Sequence, residues 1–231
     1  MNRVVLPELL DVLPPQDAAA LRSRRELRRL NTIMGHAKIM ARALQEDVRG
    51  PGVQELVELG AGDGHFLLSV VKRLNGRWPG TRAIFVDRLN TLDPQTCDQL
   101  SRLGWSVKTE IAEAAAWLRD APLEPSRTVV SNLFFHQFHT EQLTEMLRLA
   151  ASSANRIIAL EPRRSWLPRF CGRWLWVIGC GPVTRHDAHI SIRAGFAGSE
   201  LSALWPDKEN WVLTERPAGL FSHLFIARRK N

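Results

Sequence analysis

The chain has 231 residues, enough for one α/β domain with a sizeable core. Of these, 45% are hydrophobic and 24% charged, which excludes a disordered or fibrous protein. The net charge of +7 is compatible with nucleic acid, an anionic membrane surface or an acidic small molecule, and selects none of them. Cys97, Cys171 and Cys180 are too few and too scattered for a disulfide scaffold or a zinc framework, and no apolar run approaches the ~20 residues of a membrane span, so a cytoplasmic protein is expected.

Residues 1–50 read as a helical cap distinct from the remainder of the chain. The opening MNRVVLPELLDVLPP is broken by acids and prolines and lacks the form of a signal peptide. In LRSRRELRRLNTIMGHAKIMARAL, Leu27, Leu30, Ile33, Met34, Ile39, Met40 and Leu44 recur at roughly helical spacing, with Arg22, Arg24, Arg25, Arg28 and Arg29 on other faces. Such a segment either lays a solvated face over a core or caps a binding site. Arg-Gly-Pro-Gly at 49–52 then punctuates the chain, and residues 53–231 form the core.

From there strands and helices alternate. Val53–Leu59 reads as a strand, and Phe66, Leu67, Val70, Val71 and Leu74 form a helical stripe. Ala83–Val86 and Trp105–Thr109 read as strands, Glu110–Arg119 as a helix, Thr128–Leu133 as a strand, Glu141–Ala151 as an amphipathic helix and Arg156–Leu160 as a strand. The alternation predicts right-handed crossovers and a doubly wound parallel sheet. Residues 162–195 break the rhythm with Trp166, Trp174 and Trp176 set among arginines. This segment reads as a substrate-side insert or lid, or as core, in preference to an interfacial anchor. A helix-like stretch comes next at 198–204, and Trp211–Glu215 and Ser222–Arg228 lie close enough to pair as a hairpin.

The chemistry is concentrated in Glu58-Leu59-Gly60-Ala61-Gly62-Asp63-Gly64, where a strand gives way to a helix. Glycines there let the backbone turn sharply and approach a ligand, and the helix start offers unpaired N–H groups to a carboxylate or phosphate. The spacing is GxGxG. A dinucleotide fingerprint, GxGxxG, would need its third glycine where His65 stands, so the loop counts against a nicotinamide or flavin enzyme. Asp87, closing the second strand, is placed to accept the ribose hydroxyls of an adenosine, with helix capping or pairing to Arg88 as the structural alternative.

ELGAGDG, then FVD, then SNLFFHQF after the fourth strand resemble the class I methyltransferases. The resemblance covers about residues 53–230 and implies a Rossmann-like, doubly wound seven-stranded sheet, mostly parallel with an antiparallel last strand. LNTIMGHAKIMARAL, Glu161-Pro-Arg-Arg and IGCGPVTRHDAHISIRAGF look like a narrower bacterial group of small-molecule methyltransferases, similar to ubiquinone-pathway enzymes and associated with polyketide-type biosynthesis. It implies S-adenosylmethionine as cofactor. Gly60, Ala61, Gly62 and Gly64 would cradle its methionine part, Glu58 would orient the ammonium group, and Asp87 would hold the ribose with Arg88 beside the adenine. Ala112 and Glu113 would lie near the adenine amine, and Asn132 and Leu133 under the sulfonium.

Methyl transfer from a sulfonium needs alignment and the exclusion of water, and a base only if the acceptor must lose a proton. His136 and His139 come after the fourth strand, while His186 and His189 flank Asp187. His136 is the first candidate for general base and a His186–Asp187 pair the competitor, set against a structural, hydrogen-bonded histidine in each case. No spacing suggests a metal site. The expected partner is a small-molecule acceptor, aromatic or polyketide-like and apolar, methylated on oxygen or else carbon. Nucleic-acid methylation is disfavoured, because SerAsnLeuPhePhe stands where amine-methylating enzymes carry an Asn/Asp-Pro-Pro-aromatic signature and no nucleophilic cysteine is near. A cofactor-binding protein without turnover is the non-enzymatic alternative.

Overall fold

The computed structural model describes residues 2–14, 16–46 and 52–230. The expected break at 49–52, and with it the edge of the 1–50 segment, falls mostly on residues 47–51, outside the described residues. Helices α1 (Leu9–Val12), α2 (Ala18–Ile33) and α3 (His36–Gln45) come first. Then β1 (Glu55–Leu59), α4 (His65–Arg73), β2 (Arg82–Asp87), α5 (Pro94–Arg102), β3 (Ser106–Ile111), α6 (Ala114–Asp120), β4 (Glu124–Asn132), α7 (Thr140–Ser153) and β5 (Ala154–Pro162) alternate. Helices α8 (Trp166–Gly172), α9 (Pro182–Ala194) and α10 (Glu200–Leu204) precede a hairpin of β6 (Trp211–Ala218) and β7 (Ser222–Arg229).

The seven strands form one sheet in the order β3-β2-β1-β4-β5-β7-β6. Strands β1 to β5 pair in parallel, and β7 runs antiparallel between β5 and β6. Helices cover both faces, so the central strands carry apolar residues on each side. Val57, Leu59, Val86, Val129, Ile157 and Phe225 face one core with α7, whereas Leu56, Phe85, Val130, Ile158 and Leu160 face the other with α3 and α4. This is a Rossmann-like, doubly wound sheet, with the antiparallel strand at the end of the chain and an N-terminal helical layer. Because β1 pairs with β2 on one side and β4 on the other, the strand order reverses beside it, which opens a crevice at the carboxyl ends of these strands.

Several elements depart from the sequence pattern. The helix expected from Glu110 starts at Ala114, because Glu110 and Ile111 extend β3 opposite Val86 and Asp87. Strand β4 starts at Glu124, and a register shift before Thr128 hides its first residues from the apolar pattern. The long N-terminal helix breaks at Gly35, whose φ of +71° favours glycine. The buried face of α2 is Ala20, Ser23 and Glu26 rather than the leucine stripe, and Ile33 is exposed. Polar contacts decide this: Glu26 accepts from the Gly181 N–H at 2.8 Å and the Thr184 hydroxyl at 2.6 Å, fastening α2 to α9.

The first residues cross the same region as a strap. Arg3 donates to the carbonyls of His136, Phe138 and Ala194 at 2.9, 2.7 and 2.8 Å, and Asp187 on α9 accepts from the Leu9 and Leu10 N–H groups, capping α1 from a distance. The core reading of residues 162–195 fails for their aromatics. Trp166, Phe170, Trp174 and Trp176 are all more than half exposed.

Candidate active site

The glycine loop closes the crevice. The N–H groups of Gly60 and Ala61 donate to the Val86 carbonyl at 2.9 and 3.3 Å, pinning the loop to the end of β2. Gly60 has a φ of +67°, and a Cβ there would lie 2.3 Å from the Phe134 ring, so neither the turn nor the close approach tolerates a side chain. Asp87 braces the loop from the next strand: its carboxylate accepts from the Gly62 N–H at 2.8 Å and the Leu89 N–H at 2.9 Å, leaving the remaining lone pairs toward the crevice. It pairs with neither Arg88 nor a helix end. Arg88 lies 3.9 Å from Glu113 and 3.8 Å from Asp11 instead.

The crevice holds a cavity of about 640 Å³. Glu58, Gly60, Ala61 and Gly62 form its floor from β1, Asp87 and Arg88 its side from β2, Ala112 and Glu113 the end of β3, and Asn132 and Leu133 the end of β4. Gly64 is on no part of the wall. It turns the chain into α4 with φ +73°, and a Cβ there would strike Leu92 at 2.4 Å, so its part in cradling a ligand is limited to shaping the loop.

Glu58 is the feature of this floor that asks for a partner. It is 2% exposed, and its Oε2 has no hydrogen-bond partner. Burial, reinforced by the charges of Asp63 and Asp87, pushes its carboxyl well above the usual range. Leu133 sits beside it with φ +55°, a conformation a side chain adopts at a cost of about 1 kcal/mol, held by its N–H donating to the Leu160 carbonyl at 2.9 Å.

Asn132 is oriented by a residue with no sequence signal, His36 at the start of α3. The His36 Nδ1 lies 2.8 Å from Asn132 Oδ1 and its Nε2 lies 2.8 Å from the Ser222 hydroxyl. Burial lowers its pKa to about 4, against the opposing effects of Asn132 and Glu161, so the ring is neutral. Nδ1 then donates to Asn132, Nε2 accepts from Ser222, and the Asn132 amide nitrogen is left for the cavity.

The two histidines expected to act as bases are elsewhere. His136 is 2% exposed and lines no part of the cavity, with Nδ1 2.9 Å from Glu161 and Nε2 3.2 Å from Glu8. Burial alone would lower its pKa; the two carboxylates outweigh it and hold it at about 9, so at neutral pH the ring is a cation with both nitrogens engaged and cannot accept a proton. Burial would likewise raise the Glu8 carboxyl, but hydrogen bonds from His136 and the Ser191 hydroxyl keep it below its ordinary value. Glu161, the end of β5, also accepts from the N–H groups of Phe134 and Phe135 at 3.2 and 2.8 Å and so fixes the whole loop after β4. His186 pairs with Asp187 at 3.0 Å, but lies on the exposed side of α9 and likewise lines no part of the cavity. Among the described residues the histidine on the wall is His65.

The rest of the wall comes from the N-terminal helices and the loop after β4. Leu10, Asp11, Arg24, Leu27, Arg28 and Asn31 face Phe134, Gln137 and Phe138. No described residue beyond Gln142 reaches the cavity, so residues 163–195 contribute nothing to its wall. They reach it indirectly, through α2 and through α1, which Asp187 holds by the Leu9 and Leu10 N–H groups.

No family model and no curated protein matches the chain. Solved structures do. The plantazolicin methyltransferase BpumL in complex with SAH superposes with a TM-score of 0.64 at 12% identity, covering 93% of this chain and 92% of its own. An O-methyltransferase family protein from Burkholderia thailandensis gives 0.60 at 15% identity over 93% of this chain and 62% of its own. The magnesium protoporphyrin IX methyltransferase (ChlM) from Synechocystis PCC 6803 with bound SAM gives 0.55 at 11% identity over 96% and 88%. At these identities the likeness is one of fold: the chain is built as these solved methyltransferases are, over nearly its whole length.

Proposed function

We propose that the protein is an S-adenosylmethionine-dependent methyltransferase acting on a hydroxyl, or secondarily a carbon, of an apolar aromatic or polyketide-like small molecule. The observation that carries this reading is the unpartnered Oε2 of Glu58, buried in the floor of a 640 Å³ cavity between the glycine loop and Asp87. A buried carboxylate oxygen without a donor is costly, and an ammonium group relieves it. Asp87 offers acceptors to a ribose diol one strand away. Fold and donor set together suit the cofactor.

In this reading Glu58 receives the ammonium group, the backbone of Gly60, Ala61 and Gly62 lies along the amino-acid part, Asp87 takes the ribose, and Ala112 and Glu113 border the adenine beside Arg88. When bound, the cofactor supplies a methyl group already activated on sulfur. What remains for the chain is alignment and dryness. Helices α1 to α3 act as the cap, and Leu10, Leu27, Phe134 and Phe138 give an acceptor an apolar contact surface. Asn132, held by His36, offers a donor to one of its oxygens. Arg24 and Arg28 line the same side, and their charge lowers the pKa of a phenolic or enolic hydroxyl, so the acceptor attacks as its anion without a histidine base.

Calorimetric titration with S-adenosylmethionine and with its demethylated product is the test. Micromolar binding, roughly −8 kcal/mol, is expected. A folded chain that binds neither compound sinks the reading.

A further inference from the structure

We propose that the aromatic face of residues 166–178 is a docking surface for an anionic lipid bilayer. This face is independent of methyl transfer and includes no residue of the cavity wall.

Six large apolar side chains, Trp166, Phe170, Trp174, Trp176, Val177 and Ile178, are each between 44% and 71% exposed. Three of them form one cluster: the Trp174 ring stacks on Trp176 at 6.3 Å and meets Phe170 at 6.5 Å. Burying such side chains is favourable, so a cluster of them left outside marks a surface meant to be covered. Nothing in the cavity calls for these residues.

Charge identifies what covers it. From Pro162 to His186 the chain contains five arginines and no acidic residue. Arg169 and Arg173 are exposed within the same stretch, and Arg185 is exposed on α9. Helix α2 adds to them, because Arg22 donates to the Gly179 carbonyl at 3.1 Å and so brings the exposed Arg25 and Arg29 to the same side of the fold. Tryptophan and arginine together suit a headgroup layer: the indole rings enter the boundary, and the guanidinium groups stay among the phosphates. A second protein surface would have to be both apolar and strongly acidic to match. The backbone is also held in place, with Glu26 accepting from the Gly181 N–H at 2.8 Å, so the rings are presented on a fixed turn.

The test is co-sedimentation of the full chain with vesicles of mixed phosphatidylglycerol and phosphatidylcholine, against vesicles of phosphatidylcholine alone, with the Trp174→Ala/Trp176→Ala double variant in parallel. Association with the anionic vesicles only, weakening as salt rises, is expected. The double variant should lose at least tenfold in affinity, about 1.4 kcal/mol, with its thermal transition unchanged. Arg173→Ala should lose about fivefold, the effect of one charge near a lipid surface. No association, or equal association by the double variant, overturns the proposal. So does a wild-type dimer in sedimentation velocity that the double variant converts to a monomer without any vesicle binding, which would assign the face to a second copy of the chain.

Discussion

The carboxyl edge of the sheet and the segment at 162–195 are both rich in special residues, and they use them in opposite ways. At the sheet edge every unusual residue is answered by a neighbour: Gly60 by the Phe134 ring, Asp87 by the Gly62 and Leu89 N–H groups, Leu133 by the Leu160 carbonyl. Glu58 Oε2 is left without an answer, in a residue that lines the cavity. In the 166–178 stretch the large rings answer mainly one another and the solvent. A concentration of aromatic residues therefore does not by itself mark a substrate pocket. What marks one here is a concave wall that carries unmet polar atoms, Glu58 Oε2 and Asn31 Oδ1, beside groups that are already satisfied.

The largest effect is expected at Glu161, where the two regions join. Glu161→Ala removes one of the two carboxylates that hold the His136 cation and leaves the Phe134 and Phe135 N–H groups without their acceptor, which should cost about 3–5 kcal/mol in urea denaturation. The same group predicts a pH dependence. The folded-state pKa of His136, about 9, lies above its ordinary 6.5, so its stabilisation is complete below about pH 6.5 and is lost as pH rises through 9. A His136→Gln variant should show a flatter stability profile over that interval. A wild-type profile with no such decline would mean the cluster is not charged as described.

Asp87→Ala comes next. It removes charge-assisted hydrogen bonds worth about 1.5–3 kcal/mol each, so S-adenosylmethionine affinity should fall roughly 10- to 100-fold in calorimetry. Unchanged affinity would detach the glycine loop from the proposed site and collapse the contrast between the regions.

Glu58 gives a finer test of the same edge. Burial and the charges of Asp63 and Asp87 push its carboxyl well above the usual carboxylate range, and a bound ammonium would bring it back down. Binding should therefore release a proton, and affinity should rise with pH by at most about tenfold per unit until the free carboxyl ionises. Calorimetry in buffers of different ionisation enthalpy reads the proton directly, and Glu58→Gln should abolish it.

The smallest effect belongs to the other region. Trp174→Ala/Trp176→Ala should shift unfolding stability by no more than about 0.5 kcal/mol, because both residues are more than half exposed and stand outside the buried core clusters. A loss several times larger would show that these rings belong to the core after all.

Period and punctuation were legible in the sequence because they are local. Apolar runs of strand length separated by amphipathic stretches specify a parallel sheet, and ELGAGDG with Asp87 specifies which end of it is open, since glycine conformations and strand ends are set by neighbours along the chain. Loop closure by Asp87, the split of β4 at its register shift and the short reach of α6 depend on pairing between strands, and the apolar pattern blurred them.

Two of the buried histidines show where local reading ends. His36 and His136 have no distinguishing context in the chain, yet one is neutral with a pKa of about 4 and the other a cation at about 9. Burial acts on both. The difference lies in their partners: Asn132 and Ser222 for one, Glu161 and Glu8 for the other, each far away in sequence. The linear chain specified the sheet, its open edge and the loop that shapes it. Folding in three dimensions settled which titratable groups meet, and hence that His136 is a structural cation, that Glu58 waits for a partner and that the tryptophans face outward, because desolvation and charge pairing depend on distances the linear chain does not contain.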